Sequence, residues 1–147
     1  MAFPKPEVGL VISYSYLWRE EAERGHVEGF KPRPCAIVVA LIQEEGKPPR
    51  VVVAPITHSA PPDPERALEI PRRVKLHLGL DEERSWIVLD DFNVFAWPGF
   101  DLRLIPITGR YEYGLLPPAL FQQMRRKYLE LLSAGAVSEI SRDEADG

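Results

Sequence analysis

The chain has 147 residues, 45% of them hydrophobic, and 18 Lys and Arg against 22 Asp and Glu give a net charge of -4. That length and apolar content suit one domain with a real core, residues 1–147, and the acidic balance argues against a non-specific nucleic-acid binder. No apolar run reaches the roughly 18 residues of a membrane span, and Cys35, the one cysteine, excludes an internal disulfide framework.

The opening Met1–Glu7 has no basic-then-apolar signal pattern, so a cytoplasmic protein is expected. The 15 prolines break the chain into short pieces, which favours strands joined by stiff loops over a long-helix bundle. Val8 to Tyr16 alternates in the manner of a strand. A charged connection follows, in which Arg19–Arg24 can form a helical turn ending at Gly25. Pro34 to Ile42 is almost wholly apolar and predicts a strand buried on both faces. Arg50 to Ile56 predicts a third strand, closing in Thr57-His58-Ser59. Ala60–Pro64 is a rigid loop.

Pro71 to Leu78 carries two signals: Val74, Leu76 and Leu78 alternate as in a strand, while Pro71 suits the first turn of a short helix and Gly79 its stop, and the balance favours the helix. Ser85–Asp90 and Asn93–Trp97 read as a pair of strands bent around Asp90-Asp91. Phe121, Met124, Tyr128, Leu131 and Leu132 repeat at helical spacing between Pro118 and Gly135. Residues 136–147, rich in acids, are expected to form a mobile tail. The sum is a mainly β domain with a C-terminal helix, a small barrel or rolled sheet.

The chemistry is limited by what is missing. His26, His58 and His77 have no metal-ligand spacing, so no metal is expected, and neither a phosphate-binding glycine loop nor a serine elbow is present. Cys35 lies in an apolar run and predicts a buried, inert thiol. What remains is polar residues at strand ends. Arg33 stands between Pro32 and Pro34 at the entry to the second strand, and Thr57 closes the third. Paired as a hairpin, those strands bring a guanidinium and a hydroxyl to one end, where they can hold a phosphate. Lys31, Arg33, Arg50, Arg72, Arg73 and Lys75 can supply a local basic groove. By residue type alone, arginine before a strand and a hydrogen-bonding turn at Thr57 account for the same features.

At these residues the chain resembles the MazF/PemK family of toxin endoribonucleases. Val8-Gly9-Leu10-Val11 is similar to the family's opening strand. Gly25-His26-Val27-Glu28-Gly29, then Arg33-Pro34, resembles its loop and second strand, and Val52–Thr57 resembles its "V-x-P-I/V-T" strand end. Ser85–Asp90 and Phe95-Ala96-Trp97 follow in order, and the helix falls where the family has one. The resemblance implies an SH3-like barrel, a homodimer, a cognate antitoxin, and cofactor-free cleavage of single-stranded RNA by attack of the 2′-hydroxyl to leave a 2′,3′-cyclic phosphate. It implies that Arg33 stabilises the phosphorane, that Thr57 binds a non-bridging oxygen, and that Glu28 or His26 is the base. Asp90 matches an acid used for substrate contact or catalysis. His58 is a secondary candidate with a structural or RNA-contacting role, Lys31 is an RNA contact through the basic groove, and Trp18 and Trp97 can stack bases, although core or dimer packing is the favoured use of both. The alternative is a non-catalytic module on the same barrel that binds an antitoxin peptide, a protein target or RNA.

Overall fold

Alternation in the first strand divides its side chains between two cores. In the computed structural model, which describes residues 3–26, 31–41 and 45–143, strand β1 (Leu10–Ser15) is buried along its whole length. Leu10, Ile12, Tyr14 and Tyr16 pack on one side of the sheet with Cys35, Ile37, Val51, Val53 and Phe95. Val11 packs on the other with Ala36, Val38, Val52 and Ala54. Residues i and i+2 share a face, so each central strand feeds both cores at once.

The remaining elements are α1 (Arg19–Glu23), β2 (Pro32–Leu41), β3 (Arg50–Thr57), a 3-10 turn (Pro64–Arg66), β4 (Ala67–Glu69), α2 (Arg72–His77), β5 (Trp86–Val88), β6 (Asp91–Ala96), β7 (Glu112–Leu115), α3 (Pro118–Ser133) and β8 (Ser138–Ser141). The strands run in the order β4-β5-β3-β2-β1-β7, while β6 pairs with the first half of β3 and carries β8. All pairs are antiparallel except β6–β8. The outer strands β4 and β7 do not pair with each other among the described residues, so the sheet is open. The fold is therefore mainly β with a C-terminal helix. Met124 and Tyr128 of α3 cover the first core as their spacing predicts, Phe121 and Leu131 pack at its edge, and the face is shifted from the expected one in that Leu120 is buried while Leu132 is exposed. No helix among the described residues is long and apolar enough to cross a membrane.

The structure corrects the sequence reading in three places. The strands around Asp90-Asp91 do not pair with each other; β5 holds Ile56 and Thr57, whereas β6 holds Arg50 to Val53. The second strand is buried on both faces only through Cys35–Val38, because its two ends run past the covering layers. Up to Asp143 the acidic tail is built into the molecule. Ser138–Ser141 adds to the edge of β6, and Arg142 is buried, donating to the Ser15 carbonyl at 3.0 Å and pairing with Asp101 at 3.1 Å. Composition hid this, since the tail is fastened by edge hydrogen bonds and ion pairs, with little apolar surface to reveal it.

Candidate functional site

Arg33 and Thr57 meet because of the register between β2 and β3. Cys35 faces Pro55 and Ala36 faces Ala54. Carried two residues outward, the same register sets Arg33 level with Thr57. Side chains alternate, so both lie on the face of Cys35, Ile37 and Val53 and extend that apolar row past its end. Together they line a cleft of about 780 Å³ with Trp18, Arg66 and Asp90. They also line a second cavity of about 210 Å³ with Lys31, His58, Lys75 and Asp81. The pair thus forms a ridge between two hollows.

Each side chain on the ridge keeps donors in hand. The Arg33 guanidinium lies 5.0 Å over the Trp18 ring, a cation–π contact that props it in place. Its Nε is buried and has no hydrogen-bond partner. Thr57 Oγ1 accepts from the Ser59 N–H at 3.2 Å, which leaves its own O–H to donate. Trp18 is placed in turn by Asn93 of β6, whose side-chain amide accepts from the Leu17 N–H at 2.9 Å and donates to the Leu17 carbonyl at 2.7 Å.

The adjacent aspartates divide their work. Asp90 lines the large cleft, 3.6 Å from Arg66 Nη1. Asp91 turns inward, accepting from the Tyr16 hydroxyl at 2.5 Å and the Arg19 N–H at 3.2 Å. Burial pushes the Asp91 carboxyl above the usual carboxylate range, against the pull of those hydrogen bonds. Asp91 therefore fixes α1 beside the cleft.

His58 faces the small cavity. Its Nε2 lies 2.6 Å from Asp81 Oδ2, and its Nδ1 lies 3.6 Å from Glu83 Oε2. Lys75, only 3% exposed, reaches Asp81 Oδ1 at 2.5 Å and also donates to the Glu83 carbonyl. Partial burial pushes the Asp81 carboxyl up, but hydrogen bonds from Lys75 and His58 and their charges outweigh it and hold the group below the ordinary range. His58, Asp81 and Glu83 have ligand-type atoms within 4.8 Å of one another, and the Lys75 ammonium already sits on Asp81.

The structure brings together Arg33, Thr57, Asp90, His58, Lys31 and Trp18. It does not bring His26 to the ridge: that side chain is exposed beyond α1 and, among the described residues, lines neither hollow. Glu28 lies outside the described residues. Trp97 packs in the second core, the favoured of its two expected uses, and donates its indole N–H to the Pro4 carbonyl, so it is unavailable for base stacking. Cys35 is fully buried and its thiol is pushed up by burial, which keeps it unreactive. The supposed basic groove is split, because Arg50 sits at the far end of β3, paired with Asp143.

Sequence reasoning missed Arg66. Asp63 caps the 3-10 turn through the Glu65 N–H, and the Asp63-Pro64 start hinted at that turn. Only the pairing of β4 with β5, which joins Ala67 to Val88, carries Arg66 to Asp90. No family model matches the chain, and no curated protein matches it.

Proposed function

We propose that this protein is an endoribonuclease of the MazF/PemK kind, built on an open variant of the SH3-like barrel, that cleaves single-stranded RNA without a metal. The observation that carries this reading is the levelling of Arg33 and Thr57 on adjacent strands, with unused donors, on a ridge inside a cleft. Phosphoryl transfer within RNA has its nucleophile built in, the ribose 2′-hydroxyl. The protein then has to supply a proton acceptor, a proton for the leaving 5′-oxygen, and donors for the charged phosphorane.

In this reading Arg33 binds the phosphorane through its guanidinium and gives a proton to the leaving 5′-oxygen, which the proton taken from the 2′-hydroxyl later replaces, and Thr57 donates its O–H to a non-bridging oxygen. Asp90 is the proton acceptor, as the one of the three cleft carboxylates Glu20, Asp63 and Asp90 that matches the family's acid. Trp18 offers a stacking face to a neighbouring base. A homodimer opposed by an antitoxin belongs to the same reading. The exposed Phe100 and Ile107, 76% and 96% accessible, are apolar surface suited to such contacts.

The test is incubation of purified protein with single-stranded RNA in the presence of a chelator. Cleavage with cyclic-phosphate ends, lost in Arg33→Ala and Thr57→Val, is the expected result. Intact RNA with the wild type refutes it. A non-catalytic binding module is the second reading, favoured by the acids Glu20, Asp63 and Asp90 on the cleft wall. It predicts a stable complex with peptide or RNA and no cleavage.

A further inference from the structure

The geometry points to the small cavity as a second phosphate pocket, which holds the phosphate next to the reacting one along the RNA strand. The inference rests on the preceding reading for the source of the phosphate, since the pocket's own chemistry asks only for a phosphate group.

The two hollows beside the ridge differ in size and in charge. The large cleft falls within the roughly 300–1,000 Å³ of cavities that enclose whole small molecules, while the small one, at about 210 Å³, falls below it. A group fits there better than a nucleoside. The large cleft sets Arg33 and Arg66 against Glu20, Asp63 and Asp90. The small cavity sets Lys31, Arg33 and Lys75 against Asp81, and His58 on its wall lies between Asp81 and Glu83. The Asp81 carboxylate is engaged by both Lys75 and His58, so it does not cancel Lys31 or Arg33.

Lys75 makes this a built site. Its ammonium is desolvated in the cavity wall, and its bonds to Asp81 and to the Glu83 carbonyl use two of its three N–H donors. The third remains for an anion. Ser85 also lines this hollow, its hydroxyl donating to the Glu83 carbonyl at 3.3 Å. Arg33 and Thr57 border both hollows, so a phosphate on the ridge and one in the pocket are neighbours on a continuous strand.

Two probes test this. The first is a set of dinucleotides 2′-O-methylated at the cleavage position, carrying either no terminal phosphate, a 5′-phosphate or a 3′-phosphate. One of the two terminal phosphates is expected to tighten binding about tenfold. That gain is expected to fall below about threefold in Lys31→Ala and in Lys75→Met, with folding checked by circular dichroism. The exposed Lys31 keeps the test valid if Lys75→Met does not fold. No gain in the wild type, or a gain that survives Lys31→Ala, overturns the pocket.

The second probe is inorganic phosphate, followed by amide NMR. Shifts centred on Lys31, Leu80 and Ser85 that vanish in Lys31→Ala support the pocket even where RNA is neither bound nor cut, an outcome that removes the nuclease reading alone. Cleavage of RNA with neither phosphate effect removes the pocket alone.

Discussion

The hairpin of β2 and β3 carries an arginine at each end, and the two are treated in opposite ways. Arg50, at the start of β3, is met by Asp143, whose other oxygen accepts from the Ala96 N–H at 2.9 Å. Among the described residues Arg33 meets no carboxylate. It leans on an indole face and keeps its Nε unbonded. A buried donor without a partner costs stability, so a fold that completes one arginine and leaves the other open is holding the second for something else. One end of the hairpin is a fastening and the other is a site.

Substitutions at the two ends should therefore separate activity from stability. Arg33→Ala is expected to lower the cleavage rate by about 100- to 1,000-fold, the scale for losing one group that stabilises a developing anion. Its urea midpoint should stay near that of the wild type. Equal losses of rate and stability would make Arg33 an ordinary packing residue and erase the contrast. Trp18→Ala should weaken RNA binding about tenfold by titration, through lost stacking and a loosened guanidinium, with much of the loss restored in Trp18→Phe.

Arg50→Ala reverses the pattern. It should cost about 1 kcal/mol in chemical denaturation and leave the cleavage rate unchanged. The smallest effect belongs to Asp81, which lines the small cavity at the open end. Its folded-state acidity is strengthened relative to the ordinary value of 3.8, so its contribution is full above that pH and fades as pH falls through the lower folded value. Wild type and Asp81→Asn should thus differ in denaturation midpoint at pH 7, and the gap should narrow as pH falls below 3.8. A difference that persists in acid would mean that Asp81 acts through packing rather than charge.

The sequence made the strands and the final helix legible because their signals are local. Alternation marked β1, an apolar run marked β2, and the spacing of Phe121, Met124 and Tyr128 marked α3. The level of Arg33 with Thr57 followed from treating β2 and β3 as a hairpin, where distance along the chain fixes register. Partners supplied by distant segments were hidden. Arg66 reaches Asp90 through a three-residue strand too short to show alternation, and Asp81 meets both His58 and Lys75 only after α2 has turned the chain. The short edge strands β4, β7 and β8 went unread for the same reason. They are ordered by their neighbours more than by their own composition.

Asn93 ties one wall of the cleft to a single amide nitrogen. Its side chain imitates the peptide group of an absent strand, offering Leu17 a donor and an acceptor at once. Deamidation would exchange that nitrogen for oxygen and set acceptor against acceptor at the Leu17 carbonyl. The indole two atoms of chain further on would lose its anchor, and chemical ageing at one buried residue would then be felt by the guanidinium it supports.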